Sequence, residues 1–322
     1  MTRYGWTSLL MLLLAAGGYL AALSVGALFV GPADVIAVLN GGGPASMVNI
    51  IWELRLPVAI VTAVAGAALA IAGAWTQTLA RNPLASPDLL GISGGASLAV
   101  VAATALTDVN NAWLRSGYAL AGAVAMLALL LVLGRKEPID RLIVIGVALA
   151  LFAQGAVSFL LLRADILRAT EAQVWLAGST AFARWEVVAP LLIGLVPFVL
   201  LGLSQHRDMR ILAHDDVTAL ALGVRVSRTR LLFVVAATGI VAVIVSIVGP
   251  ITFVALVAPQ LARLIGNTPT PPVLLSALTG AALLLWCATI AAALPVTVPV
   301  GLLTSALGGV MLVYLMMMQR TT

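Results

Sequence analysis

Ser93 sits in Gly91-Ile92-Ser93-Gly94-Gly95, the Gly-x-Ser-x-Gly spacing that presents a serine nucleophile in many hydrolases. Such a serine needs a general base within hydrogen-bond reach. The only histidines, His206 and His214, fall together in a basic polar stretch far along the chain from it. The stretch therefore reads better as a glycine-rich helix start that permits close packing than as the centre of an intramembrane serine hydrolase. Phosphate chemistry is also limited: the single lysine, Lys136, lies in Gly-Arg-Lys-Glu-Pro, so no phosphate-binding loop exists and the chain cannot hydrolyse ATP by itself. Cys287 is the only cysteine, which excludes an intrachain disulfide and a thiolate metal cluster.

The elements that must position such residues are apolar helices. Hydrophobic residues make up 62% of the 322 positions and charged residues 9%, against roughly 25% in soluble domains. Windows of about 19 residues place ten spans, over 8–30, 57–79, 91–106, 116–134, 141–162, 186–203, 230–248, 250–265, 272–293 and 299–318. The expected fold is an all-α polytopic membrane protein, a single transmembrane domain over 1–322. The first apolar run is too long for a secretory signal core and is kept as a span. With the amino terminus inside, twelve of the 17 Lys and Arg residues fall inside, and Arg55, Arg115, Arg163, Arg168 and Arg184 fall outside. The positive-inside rule thus puts both termini in the cytoplasm, and Trp52, Trp113, Trp175 and Trp185 then form an outer aromatic belt. None of the 12 acidic residues falls near a span centre, which argues against an ion-coupled secondary carrier.

Two stretches outside the spans carry pattern. Residues 163–185 read as a short outer amphipathic helix followed by a Gly-Ser turn. Residues 204–230 form the largest cytoplasmic loop, in which Asp215 or Asp216 caps a short helix running to about Leu222, with Gly223 just past its end. Its exposed face would carry Val217, Leu220 and Leu222, either as a docking knob for a soluble partner or as a helix lying on the membrane surface. Gln77, Gln154 and Ser158 are the uncharged polar residues in spans that either face a cavity or bond between helices.

Six blocks in order, "RLPVAIVTAVAGAALAIAGAWTQTLARNPLASPDLLGISGGAS", "RLIVIGVALA", "VWLAGS", "LAHDDVTALALGVRVSRTR", "GPITFVALVAPQLARLIG" and "PVGLLTSALGG", resemble the signature of the iron–siderophore and vitamin B12 permeases, the FecCD family of ABC importers. The resemblance covers residues 50–318. It implies a ten-helix subunit with spans 2–5 and 7–10 as inverted repeats, in a bacterial inner membrane. The implied partners are a second permease, a paralogue or a second copy; two cytoplasmic ATPases, which carry the ATP and Mg; and one periplasmic binding protein. The implied cargo is a ferric siderophore, nearest the catecholate enterobactin type, with vitamin B12, haem or another metal chelate as alternatives. This chain itself would bind no cofactor. By the same resemblance, His214, Asp215, Asp216, Val217, Leu220, Leu222, Gly223, Val224 and Arg225 form the ATPase-coupling element. Arg55 is a docking residue for the binding protein, Ile139 and Asp140 belong to the cytoplasmic gate, and Ser93 joins Gln77, Gln154 and Ser158 as candidates for the translocation path. The sequence departs from the family pattern at Val58, where a second arginine is usual, at Val298, where an acidic residue is usual, and at Gln260, where a histidine follows the proline.

Overall fold

The computed structural model describes residues 3–107, 111–134 and 139–319, and it is helical. In chain order the helices are α1 (Arg3–Ser24), α2 (Pro32–Leu39), α3 (Ala45–Asn49), a π-helical turn (Ile50–Arg55) and α4 (Leu56–Ala80). A 3-10 turn (Pro87–Leu90), α5 (Ile92–Leu106), α6 (Ala112–Leu133), α7 (Ile139–Arg163) and α8 (Ile166–Leu176) follow. The remainder comprises α9 (Trp185–Ser204), α10 (His206–Leu212), α11 (Asp216–Ala221), α12 (Val226–Val248), α13 (Val254–Gly266), α14 (Val273–Ala293) and α15 (Val300–Gln319).

Among the described residues, seven helices are long and apolar enough to cross a membrane, namely α1, the run Ala45–Ala80 that ends in α4, α6, α7, α9, α12 and α14. Helices α5 and α13 and the Val300–Val313 part of α15 are apolar but shorter. These ten helices overlap the stretches where hydropathy places spans, with three differences. The helical run of the second begins at Ala45, well before the expected 57. The first span, expected over 8–30, ends as a helix at Ser24. There the Arg55 guanidinium donates to the carbonyls of Leu23 (2.7 Å), Ser24 (2.8 Å) and Leu28, supplying donors that a further helical turn would otherwise provide. The chain folds back into α2, and Leu23, Val30, Val35, Val38 and Ile51 close a small core over the junction. The span expected from 250 starts at Val254, because Gly249 (φ 75°) and Phe253 (φ 67°) both hold left-handed backbone that no α-helix contains.

The chain divides into two compact units, one of Met1–Ile71, Ser179–Ile193 and Ile251–Thr322, the other of Ala72–Gly178 and Gly194–Pro250. In the first, α4 and α14 cross at Gly66 and Gly280, where a Cβ on either would come within 2.4 Å of the other's carbonyl oxygen. Small faces of this kind allow dispersion contacts between backbones where lipid supplies no hydrophobic drive. Helix α1 packs on α14, and Trp286 Nε1 donates to Leu14 O at 3.1 Å.

In the second unit, α12 is buried along most of its length and packs against α5 and α6. Trp75, fully buried near the end of α4, meets Phe233 of α12 edge to face, with ring centroids 5.7 Å apart. This packing fixes the end of α4 and the first turns of α12 relative to each other within the unit, and the loop bearing α10 and α11 is built on those ends.

Candidate functional site

Helix α11 has only six residues, too short to stand on propensity, so its ends must hold it. Asp215 is extended (φ −163°, ψ 164°) and its carboxylate accepts from the Thr218 amide at 2.6 Å, the N-cap arrangement. Of the two aspartates proposed as caps, Asp215 takes the role. The Thr218 amide holds the Asp215 carboxyl below the usual carboxylate range. The cap is therefore fully formed at neutral pH and is lost only as pH falls through that lowered value. At the other end Gly223 has φ 82°; its amide donates to Leu220 O (3.0 Å) and the Val224 amide to Ala219 O (2.9 Å). Those two bonds make a Schellman stop, and the buried pair Ala219 and Val224 supplies its apolar contact.

Between these ends the helix displays Val217, Leu220 and Leu222, which are 78%, 62% and 64% exposed. Fully burying such side chains against a partner contributes roughly 1.5–3 kcal/mol each. A helix braced at both ends, with its apolar side chains left outside, forms an exposed apolar knob.

Asp216, the first helical residue, tethers the knob. Its Oδ1 accepts from Arg81 (2.6 Å) and from Arg230 (2.9 Å). Arg81 also donates through the same terminal nitrogen to Leu212 O at 2.8 Å, which closes the end of α10. One carboxylate therefore joins the residue just past α4, the first turns of α12 and the start of α11. Arg81 and Arg230 were legible in the sequence only as inner-surface charges. The pairing of Arg81 with Asp216 spans 135 positions and leaves no local pattern.

The remaining residues are distributed as follows. His214 is exposed beside the knob, its Nδ1 within 3.2 Å of Arg210 O, and Arg225 is exposed at the start of α12. Ile139 and Asp140 open α7, and their side chains lie outside the described residues. Gln154 and Ser158 stand on the exposed side of α7, Ser158 Oγ donating to Gln154 O at 3.0 Å. Gln77 is instead buried in the packing of α4. Ser93 Oγ donates to Asp88 Oδ1 at 2.8 Å, and burial pushes the Asp88 carboxyl up against the lowering pull of the Ser93 and Ser86 bonds. The Ser93–Asp88 pair braces the start of α5, while His206 and His214 line a cleft in the α10–α11 loop.

Arg55 is committed to the three carbonyls at the end of α1. Arg55→Gln is expected to lower the thermal midpoint of the purified permease by several degrees, because it strands the carbonyls of the buried residues Leu23 and Ser24 at about 1–3 kcal/mol each, while that of the exposed Leu28 can turn to solvent. An unchanged midpoint with loss of binding-protein docking would make Arg55 a docking residue alone.

Comparison with known proteins follows the same lines. Residues 11–318 match the model of the FecCD transport family. The ferric enterobactin transport system permease protein FepG of Escherichia coli (strain K12) is 36% identical over 301 residues, covering 92% of this chain and 91% of that protein. The Fe(3+) dicitrate transport system permease protein FecC of the same organism is 36% identical over 294 residues, covering 87% and 86%. Among solved structures, a metal-chelate type ABC transporter in an inward-facing conformation superposes with a TM-score of 0.83 at 25% identity, over 95% of this chain and 96% of that one. The ordered sequence blocks, the helical architecture and these full-length similarities agree, and the chain belongs to the FecCD transport family.

Proposed function

We propose that this chain is the transmembrane permease subunit of an ATP-driven importer that carries iron chelates across a bacterial inner membrane. The observation that carries the reading is the knob of α11, with three exposed apolar side chains, a cap at each end and a carboxylate tied to α4 and α12. A subunit that does no covalent chemistry needs such a rigid handle, because energy must enter it mechanically from a separate ATPase. In this reading the ATPase pair closes on the knob, Asp216 passes the displacement through Arg81 and Arg230, and the ends of α4 and α12 move with it.

The family membership and the similarity to enterobactin and dicitrate permeases support a ferric chelate as cargo. Within that class a catecholate siderophore of the enterobactin type is the specific proposal. On the exposed side of α7, Gln154 and Ser158 are uncharged polar residues set among the exposed apolar Leu151, Phe152 and Phe159, and as path-lining residues they would meet an anionic chelate without a fixed charge that traps it. Ser93 and the buried Gln77 fit helix bracing better than contact with cargo. The ten apolar helices support a reading of ten spans, the Lys and Arg bias supports both termini inside, and the family resemblance supports inverted repeats and a paired paralogous permease that would complete the path. A periplasmic binding protein would deliver the chelate.

Cargo is tested by uptake into cells expressing the complete system, with ferric enterobactin, ferric dicitrate and a ferric hydroxamate offered in competition. Preferential uptake of the catecholate is expected. Preference for either other chelate would reassign the cargo without touching the permease assignment.

A further inference from the structure

Beside the knob lies a cleft of about 510 Å³. Helix α10 gives it His206, Arg207, Arg210 and Ile211, His214 follows, and Thr218 and Leu222 come from the knob itself. No carboxylate lines it. The three acidic residues of the loop are all engaged elsewhere: Asp208 accepts from Thr229, Asp215 caps α11, and Asp216 holds Arg81 and Arg230. Among the described residues no carboxylate pairs with Arg207 or Arg210, and both side chains are exposed. The loop has therefore neutralised the cations that tether the knob and left bare those that flank it.

Leu222 belongs both to the apolar face of the knob and to the wall of this cleft, so a body that covers one must approach the other. From this continuity, and resting on the reading of α11 as the ATPase-coupling knob, we infer that the groove of the partner ATPase carries carboxylate side chains on the rim that meets Arg207 and Arg210. The apolar knob supplies the contact area. The cleft supplies orientation, because a charged flank on one side of a short helix distinguishes the two ways it could lie in a groove. Charges at an interface rim act mainly through encounter rate and register, and their effect is screened by salt.

The test uses the full permease assembly in nanodiscs and the kinetics of ATPase binding, with phosphatidylcholine alone and with added phosphatidylglycerol. Arg207→Gln/Arg210→Gln is expected to slow association about tenfold at low salt and to flatten its salt dependence, equally in both lipids. Val217→Asp/Leu220→Asp is the control for the underlying reading and should abolish binding. If that variant binds as wild type, the coupling assignment fails and the inference with it. If it fails to bind while the double glutamine variant keeps wild-type rate and salt dependence, the carboxylate rim alone is overturned. An effect of the glutamine variant seen only with phosphatidylglycerol also overturns it, and gives the cleft to an anionic lipid headgroup instead.

Discussion

Replacing Gly223 with proline is expected to abolish iron uptake while leaving the permease inserted and folded. The position holds φ 82°, and its amide makes one of the two bonds that stop α11. Proline is fixed near −65° and has no amide hydrogen, so it can satisfy neither requirement, at a cost of about 3 kcal/mol or more. If that cost falls on α11 alone, the population of the knob conformation drops on the order of a hundredfold. Gly223→Ala supplies the graded comparison. No atom lies within 4 Å of where its Cβ would sit, so only the left-handed backbone is penalised, by roughly 1–2 kcal/mol. Uptake should therefore fall in the order glycine, alanine, proline, while detergent-extracted protein keeps its thermal midpoint. Equal uptake in all three would show that α11 does not carry the coupling.

The second large effect concerns Asp216. The side chains of Asp216 and Arg81 are 39% and 36% exposed, and pairs of this kind contribute only about 0–1 kcal/mol to stability. The cluster's weight is thus positional: it decides where the knob sits relative to α4 and α12. Asp216→Asn should leave thermal stability nearly unchanged and preserve ATPase binding through the apolar face, yet sharply reduce chelate transported per ATP hydrolysed. Arg81→Ala should behave alike. The double variant should then be little worse than either single one, a non-additivity measurable as a coupling energy of about 0.5–3 kcal/mol in the transport barrier. Independent, additive losses would mean that Arg81 and Asp216 act on separate steps.

Much of this was written in the sequence, because the forces involved are local. Apolar length locates α4, α7, α12 and α14 directly, and an aspartate followed eight positions later by a glycine delimits α11 from sequence alone. Local signals fail where distant residues decide. Apolar composition alone carries the first span on to residue 30, yet α1 stops at Ser24 because Arg55, 31 positions away, takes its carbonyls. The start of α13 depends on left-handed backbone at Phe253, which its residue type does not advertise. At α11 the cap and the stop were legible; the tether was not, since Arg81 after a span reads first as a membrane-surface charge. By polarity Gln77, Gln154 and Ser158 read alike, as residues that face a cavity or bond between helices; the structure separates them, with Gln77 buried and Gln154 and Ser158 exposed.

The central claim, that this chain moves iron chelates only when driven through its α11 knob by a separate ATPase, is tested most directly in proteoliposomes. These would hold the chain, its partner permease and the ATPase, with radiolabelled ferric chelate and binding protein supplied outside. Uptake should require ATP on the ATPase side, vanish when the ATPase is omitted, and vanish again with Val217→Asp/Leu220→Asp in an otherwise complete system. Chelate accumulation without any ATPase, driven by a proton or sodium gradient, would contradict the account.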